Sequence, residues 1–136
     1  MKKKDQIFSL PVRVYFQDTD AGGVVYHASY VNFMERARTE WLRTHGYSNA
    51  GLMKEFGVVF VVRLLRLDYF KPALLDDLLE VTAQIKEIGR SRLNLLQEVR
   101  RGDEVLTEGE VHLVCVSVGN FKPVSVPEVL RKQWKV

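Results

Sequence analysis

The chain has 136 residues, of which 46% are hydrophobic and 27% are charged, and its formal net charge is +3. This length predicts one domain with a substantial core, and the composition is that of an ordinary soluble protein rather than a disordered one. The slight basic excess forms no stripe typical of a nucleic-acid surface, although a mild positive field favours an anionic substrate.

The cysteine content and the lengths of the apolar runs bear on the location of the protein. The single cysteine, Cys115, excludes an intrachain disulfide, which fits a reducing compartment. Its apolar neighbours predict a buried and inert thiol. The chain contains no apolar run of about 18 residues, and Pro11, Arg13 and Gln17 interrupt any signal-peptide core. We therefore expect a cytoplasmic protein with no integral membrane span.

The first third of the chain changes its hydrophobic period once. Residues 1–6 are expected to form a flexible tail, and residues 7–17 alternate as a strand with Val12, Val14 and Phe16 on one face. A turn over 18–25 follows, and the period then becomes helical from about 27 to 44. The wide apolar face of this helix predicts that a sheet wraps around it.

The remaining two thirds are dominated by strands. The predicted elements are a short helix over 48–57 and strands over 58–70, 79–86, 92–101 and 104–118, then a terminal helix over 127–134. Ser48 is the expected N-cap of the short helix, and Gly46 and Gly57 are expected to end the two helices. Four successive strands in hairpin sequence predict an antiparallel sheet and an α+β fold.

The turn that contains Asp20 is the first candidate site. Gly22 and Gly23 follow it closely and allow a tight turn, and the N-terminus of a long helix comes next. Unpaired N–H groups at that terminus form a cradle for an oxyanion beside a carboxylate, which suits attack on an acyl carbonyl. The alternative is that Asp20 only caps the turn. For Asp18, two residues earlier, a capping role is the preferred interpretation.

The run from Asp18 to Tyr30, together with the helix segment 35–40, resembles the hotdog-fold acyl-CoA thioesterases. Within them it is similar to the 4-hydroxybenzoyl-CoA thioesterase type and to the YbgC family of the Tol-Pal gene cluster. The resemblance implies one hotdog domain over residues 1–136, with a five-stranded antiparallel sheet wrapped around one long helix. It also implies that Asp20 is the catalytic carboxylate, either as nucleophile or as general base.

Further residues are candidates for the same site, each with an ordinary alternative. The backbone N–H of His27, or of a neighbour, is the candidate oxyanion donor, and its imidazole is a second catalytic candidate or simply a polar residue at the helix start. Gly23, Tyr26 and Tyr30 are candidate substrate contacts, although core packing explains the tyrosines equally well. Because coenzyme A carries phosphates, Arg90 and Ser91 in a later turn are candidates for binding them, or are ordinary surface residues, and the resemblance does not decide between the two.

No metal or cofactor is expected. His45 and His112 form no metal-ligand spacing with His27, and the sequence contains no zinc, dinucleotide or phosphate-loop motif. Coenzyme A enters only as part of the substrate.

The resulting hypothesis is an enzyme that hydrolyses acyl-CoA, with small or short-chain acyl groups, to a free acid and coenzyme A. The resemblance implies a homo-oligomer, either a dimer or a tetramer built as a dimer of dimers. The alternative is a module that binds acyl-CoA or acyl carrier protein, linked to the Tol-Pal or phospholipid-synthesis machinery.

Overall fold

Strands and helices follow one another along the chain in the computed structural model, which describes residues 7–135. The strands are β1 (Phe8–Arg13), β2 (Val58–Tyr69), β3 (Leu78–Ile88), β4 (Arg92–Arg101) and β5 (Glu104–Ser117). The helices are α1 (Ser29–Thr44), α2 (Asn49–Phe56) and α3 (Glu128–Gln133), and a 3-10 turn spans Phe16–Asp18. The tail predicted for residues 1–6 lies outside the described residues.

The five strands form one antiparallel sheet in the order β1-β3-β4-β5-β2. The predicted α+β class and the hairpins joining β3, β4 and β5 are confirmed. The predicted hairpin between β2 and β3 is wrong, because β2 pairs with β5 while β3 pairs with β1. The connection over 70–77 crosses the ends of β5 and β4, a distance of about 14 Å at ordinary strand spacing, which eight residues span easily.

Strand β1 ends earlier than its alternation predicts. The Asp18 carboxylate accepts a hydrogen bond from the N–H of Tyr15 at 2.8 Å, and the Asp18 N–H bonds back to the Tyr15 carbonyl. These bonds close a 3-10 turn, so Phe16 projects into solvent with 80% of its surface exposed instead of joining the core. The capping role preferred for Asp18 is confirmed.

Helix α1 packs its apolar face against one side of the sheet. Its buried residues are spaced by three and four positions and include Tyr30, Phe33, Met34, Ala37 and Trp41. The helix contacts β1, β3 and β4, and its Met34 side chain packs over Gly109 of β5. The predicted arrangement of a sheet around one long helix is confirmed.

The predicted helix ends are also confirmed. The Ser48 hydroxyl accepts a hydrogen bond from the N–H of Gly51 at 3.0 Å, as an N-cap does. Gly46 and Gly57 have φ angles of +89° and +67°, the left-handed conformation in which glycine ends helices.

The cysteine prediction is confirmed as well. Cys115 is buried, and burial raises the pKa of its thiol to about 11, so it is protonated and unreactive at neutral pH. Between residues 7 and 135, no helix has the length and apolar character needed to span a bilayer.

The substitution Gly109→Ala tests the close contact between helix and sheet. A Cβ at position 109 would lie 2.8 Å from the Met34 sulfur and 2.9 Å from a Leu67 methyl, so the buried Met34 would have to move. Overpacking of this kind lowers the free energy of unfolding by about 1–3 kcal/mol, measurable by urea denaturation. Gly89→Ala is the control, because its nearest neighbour would be 3.8 Å away. Equal stability of the two variants would contradict the prediction.

Candidate active site

The segment between β1 and α1 folds into a small closed turn that presents Asp20. The Asp20 N–H donates to the Val24 carbonyl at 3.1 Å, and the Gly23 N–H donates to the Asp20 carbonyl at 3.1 Å. Gly23 has a φ of +79°, which most residues with a side chain adopt only under strain. Thr19 and Val25 pair across the base of the turn. The glycines therefore fix the direction in which Asp20 points.

The Asp20 carboxylate is exposed, and its two oxygens have different surroundings. Oδ1 accepts a hydrogen bond from the Gly22 N–H at 3.1 Å, so Asp20 does support its own turn, as the alternative interpretation proposed. Oδ2 has no hydrogen-bond partner among residues 7–135. The turn interaction thus orients the side chain and leaves one carboxylate oxygen available for chemistry.

The start of α1 lies beside this turn. The Asp18 carbonyl accepts hydrogen bonds from the N–H of Tyr26 at 2.9 Å and from the Ser29 hydroxyl at 3.1 Å, which ties the helix start to the end of the 3-10 turn. The His27 carbonyl accepts a hydrogen bond from the Tyr69 hydroxyl at 2.7 Å. Both ends of the segment that leads into α1 are therefore anchored.

The N–H groups of His27 and Ala28 lie just before the first residue of α1. Neither donates a hydrogen bond within the part of the chain that the structure describes, whereas the next N–H, of Ser29, bonds to the Tyr26 carbonyl. Both groups lie at the positive end of a 16-residue helix. The His27 ring is exposed and packs against the Tyr26 ring with centroids 4.4 Å apart. This arrangement can stabilise a negatively charged oxygen with backbone donors.

The two tyrosine candidates differ in their surroundings. Tyr26 is half exposed and open to contact, whereas Tyr30 is only 2% exposed. The Tyr30 hydroxyl accepts a hydrogen bond from the Ala73 N–H at 2.9 Å, and burial raises its pKa. In the single chain Tyr30 is thus a core residue with a satisfied hydroxyl, and its contact with substrate stays a prediction.

Arg90 and Ser91 lie far from Asp20 within one chain. They follow the Ile88 end of β3, while the Asp20 turn is next to the Leu78 end, and an 11-residue strand separates the two ends by roughly 33 Å. Arg90 is exposed, and its carbonyl accepts a hydrogen bond from Val126. The structure brings Asp20, Gly23, Tyr26, His27 and Tyr30 to one end of the sheet and leaves these two residues at the other.

Several residues that shape this site were not identified from the sequence. Tyr69 and the connection over 70–77 hold the helix start and the Asp20 turn from 42 or more positions further along the chain. No local pattern marks them, because a tyrosine at the end of a strand is compatible with many structures. Among residues 7–135, no group of three His, Cys, Asp or Glu residues has the arrangement of a metal site.

Comparison with known proteins gives consistent results. The family model described as thioesterase superfamily matches residues 22–108, starting two residues after Asp20. The acyl-CoA thioesterase YbgC of Haemophilus influenzae is 45% identical over 127 residues, 93% of each chain. The acyl-CoA thioester hydrolase YbgC of Escherichia coli O157:H7 is 47% identical over 130 residues, covering 95% of this chain and 96% of that one.

A solved structure agrees with this family assignment. A probable thioesterase from Bartonella henselae is 34% identical and superposes with a TM-score of 0.85, over 89% of this chain and 99% of the other. The similarity therefore covers the sheet, the long helix and the turn between them.

The substitution Tyr30→Phe tests how the helix start is anchored. It removes the acceptor of the Ala73 N–H and leaves that buried donor unpaired, which costs about 1–3 kcal/mol of unfolding free energy. Urea denaturation measures the loss. Tyr47→Phe is the control, since the Tyr47 hydroxyl has no hydrogen-bond partner among the described residues. An unchanged stability of Tyr30→Phe would show that the hydroxyl does not anchor this loop.

Proposed function

The chain belongs to the thioesterase superfamily, and on that premise we propose that it hydrolyses acyl-CoA thioesters at the Asp20 turn. Water and the thioester give a free acid and the thiol of coenzyme A. The observation that carries the assignment of the site is a carboxylate on a hydrogen-bonded turn next to a helix terminus. Among residues 7–135, the Oδ2 of this carboxylate and two N–H groups of the terminus have no hydrogen-bond partner. The carboxylate either attacks the thioester carbonyl or activates a water molecule. The N–H groups stabilise the negative charge that develops on the thioester oxygen.

The carboxylate has two possible roles. Asp20 either attacks the thioester carbonyl and forms a mixed anhydride, which water then hydrolyses, or it removes a proton from the attacking water. The leaving thiol has a pKa near 8.5, so it departs as a thiolate with little help from an acid. A single carboxylate is therefore sufficient for either route, without a Ser-His-Asp triad.

The helix start supplies the remaining groups. We assign the oxyanion contact to the N–H of His27 or Ala28, which the 3-10 turn and Tyr69 hold in place. We assign to the exposed imidazole of His27 the role of orienting water or protonating the leaving thiolate. Gly23 has no side chain to block an approaching acyl group, and Tyr26 offers an apolar ring beside it. Small acyl groups are the expected substrates.

The free edge of the sheet suggests how the protein associates. Strand β2 pairs with β5 on one side and with no described strand on the other. The side chains exposed along it are largely apolar and include Val61, Val62, Leu64, Leu65 and Tyr69. An exposed apolar edge is a template for pairing with another chain, so we propose a homodimer in which two copies of β2 pair antiparallel.

Such a dimer would bring Arg90 and Ser91 of one subunit close to Asp20 of the other. Antiparallel pairing reverses the direction of the partner, so the Tyr69 end of one β2 lies beside the Val58 end of the other. Ser91 lies near the Val58 end of β2, because its carbonyl accepts a hydrogen bond from the N–H of Cys115, and Cys115 pairs with Phe60 of β2. Arg90 and Ser91 of the partner subunit would then bind the phosphates of a coenzyme A whose thioester lies at Asp20. A dimer of dimers, a cytoplasmic location and a Tol-Pal link stay predictions.

The substitution Asp20→Asn tests the catalytic assignment. Asparagine keeps the size of the side chain but removes the nucleophile or base, so kcat/KM should fall at least about a hundredfold. Release of the coenzyme A thiol from a panel of acyl-CoAs measures the effect and ranks the acyl groups. Asp76→Asn is the matched control, an exposed carboxylate in the neighbouring connection at a φ of 72°, which asparagine tolerates.

Two results would contradict this assignment. Equal activity of Asp20→Asn and the wild type would place the catalytic group elsewhere. Acyl-CoA or acyl-carrier-protein binding by a wild type that hydrolyses nothing would favour the binding module.

The substitution Val62→Lys tests the dimer. A charge on the apolar edge of β2 should convert the dimer to monomer in sedimentation equilibrium and lower activity, because the phosphate-binding residues would be lost. Met53→Lys is the control, since it places the same charge on an exposed residue of α2. A Val62→Lys protein that stays dimeric would show that the subunits associate through another surface.

A further inference from the structure

The Asp20 turn rests on the connection between β2 and β3. The Val25 N–H donates to the Ala73 carbonyl at 2.9 Å, the Leu75 N–H donates to the Gly23 carbonyl at 3.0 Å, and Val24 pairs with Leu74. The position of Asp20 therefore depends on the conformation of the residues over 70–77, which we call the support loop.

The support loop is closed by hydrogen bonds around a residue with a left-handed backbone conformation. Asp76 has a φ of 72°, an angle that is uncommon for residues other than glycine although aspartate adopts it more readily than most. The Asp77 carboxylate restrains the loop, because its Oδ2 accepts the Leu74 N–H at 2.8 Å, and the Asp77 N–H donates to the Leu74 carbonyl at 3.0 Å. The Asp77 side chain thus closes the support loop by its hydrogen bond to the Leu74 N–H.

Arg101, the last residue of β4, fastens the support loop to the sheet. Its Nη1 donates to the same Asp77 Oδ2 at 2.7 Å and to the Pro72 carbonyl at 3.3 Å, while Nη2 donates to Glu104 at 3.1 Å. Lys71, also in the loop, pairs with Glu104 at 2.5 Å. Both ion pairs of Arg101 are only about one-third exposed or less, where solvent screening is reduced.

The contacts require a guanidinium group. Two of the three acceptors, on Pro72 and Asp77, belong to the support loop, and the third, Glu104, is in β5. The planar fork of arginine reaches all three at once. A lysine carries the same charge on a single nitrogen and cannot reproduce this geometry. The restraint on the loop therefore depends on the shape of the side chain as well as on its charge.

We propose that Arg101 is a positioning residue for the thioesterase reaction, acting through Asp77 and the support loop to hold the Asp20 turn in register with the N-terminus of α1. This inference rests on the proposed function, in which Asp20 performs the chemistry. Arg101 contacts no substrate in this scheme. Its loss displaces the carboxylate relative to the oxyanion donors, and a displacement of about 1 Å lowers a rate up to a hundredfold.

The test compares Arg101→Lys with Arg100→Lys. Arg100 is the adjacent residue of β4 and has nearly the same exposure. It pairs with Glu98 at 2.8 Å and donates to the Asp103 carbonyl, and it makes no hydrogen bond or ion pair with the support loop, which lies wholly within the described residues. We expect kcat of Arg101→Lys to fall about 10- to 100-fold with KM changed less than about threefold, and Arg100→Lys to stay near the wild type. Arg101→Ala should regain part of its activity when millimolar guanidinium is added.

A second readout does not depend on catalysis. Hydrogen exchange of the Val25 and Leu75 amides, which bond across to the support loop and the Asp20 turn, should accelerate in Arg101→Lys while the amides of α1 keep their protection. Asp77→Asn should show the same local acceleration, and it provides an independent variant if Arg101→Lys is too unstable to assay.

The outcomes separate this inference from the proposed function. If Asp20→Asn is inactive but Arg101→Lys matches Arg100→Lys in kcat and in exchange, Arg101 has no positioning role. Equal losses of kcat in Arg101→Lys and Arg100→Lys, in proportion to their losses of thermal stability, would also overturn the positioning role. If Asp20→Asn retains full activity, the catalytic assignment fails, and the inference about the reaction fails with it. The exchange experiment still decides whether Arg101 holds the turn.

Discussion

The packing of the Met34 side chain of α1 over Gly109 of β5 is the constraint from which the rest of the structure follows. Gly109 offers no side chain at the point where Met34 crosses the strand, and Ala37 is small and fully buried one turn later. The helix can therefore pack closely on the sheet and bury its apolar face, and burial of apolar surface is the dominant favourable contribution to folding. The N-terminus of α1 is thereby fixed at the end of the sheet where the Asp20 turn lies.

A buried polar network fixes the position of the helix along its axis. Gln97, fully buried on β4, donates from its side-chain nitrogen to the carbonyls of Met34 and Thr82, and its side-chain oxygen accepts a hydrogen bond from Arg38 at 3.0 Å. A sliding helix would leave these groups unpaired in a low-dielectric core, at a cost that apolar packing alone does not impose. The network thus makes the location of the helix start specific.

The proposed chemistry uses two features that are each weak alone. A carboxylate on a glycine turn is common, and so is a helix N-terminus with free N–H groups. Here the support loop bonds to the Asp20 turn through Gly23 and to the helix through Tyr30, so that one loop holds both. The Asp20 carboxylate and the N–H groups to which we assign the oxyanion contact are therefore restrained relative to each other before substrate binds, which is the condition that the proposed electrostatic stabilisation of a transition state requires.

The sequence by itself determined the local features. Helix α1 follows from its period, its end from Gly46, the N-cap of α2 from Ser48, and the Asp20 turn from its glycines. Each depends on residues within a few positions of one another, where backbone preferences and capping decide the conformation. The resemblance carried by this run also pointed to the family that the comparisons show.

Only the tertiary structure decided which distant segments meet. Strand β2 reads as a partner of β3 but pairs with β5, because alternation in a strand specifies a buried face and not a neighbour. Phe16 leaves the core because Asp18 closes a turn that alternation does not reveal. Arg101 reads as an ordinary charge at a hairpin, yet it holds a loop 24 residues earlier in the chain. Such contacts depend on the path of the whole chain, which local sequence patterns do not contain.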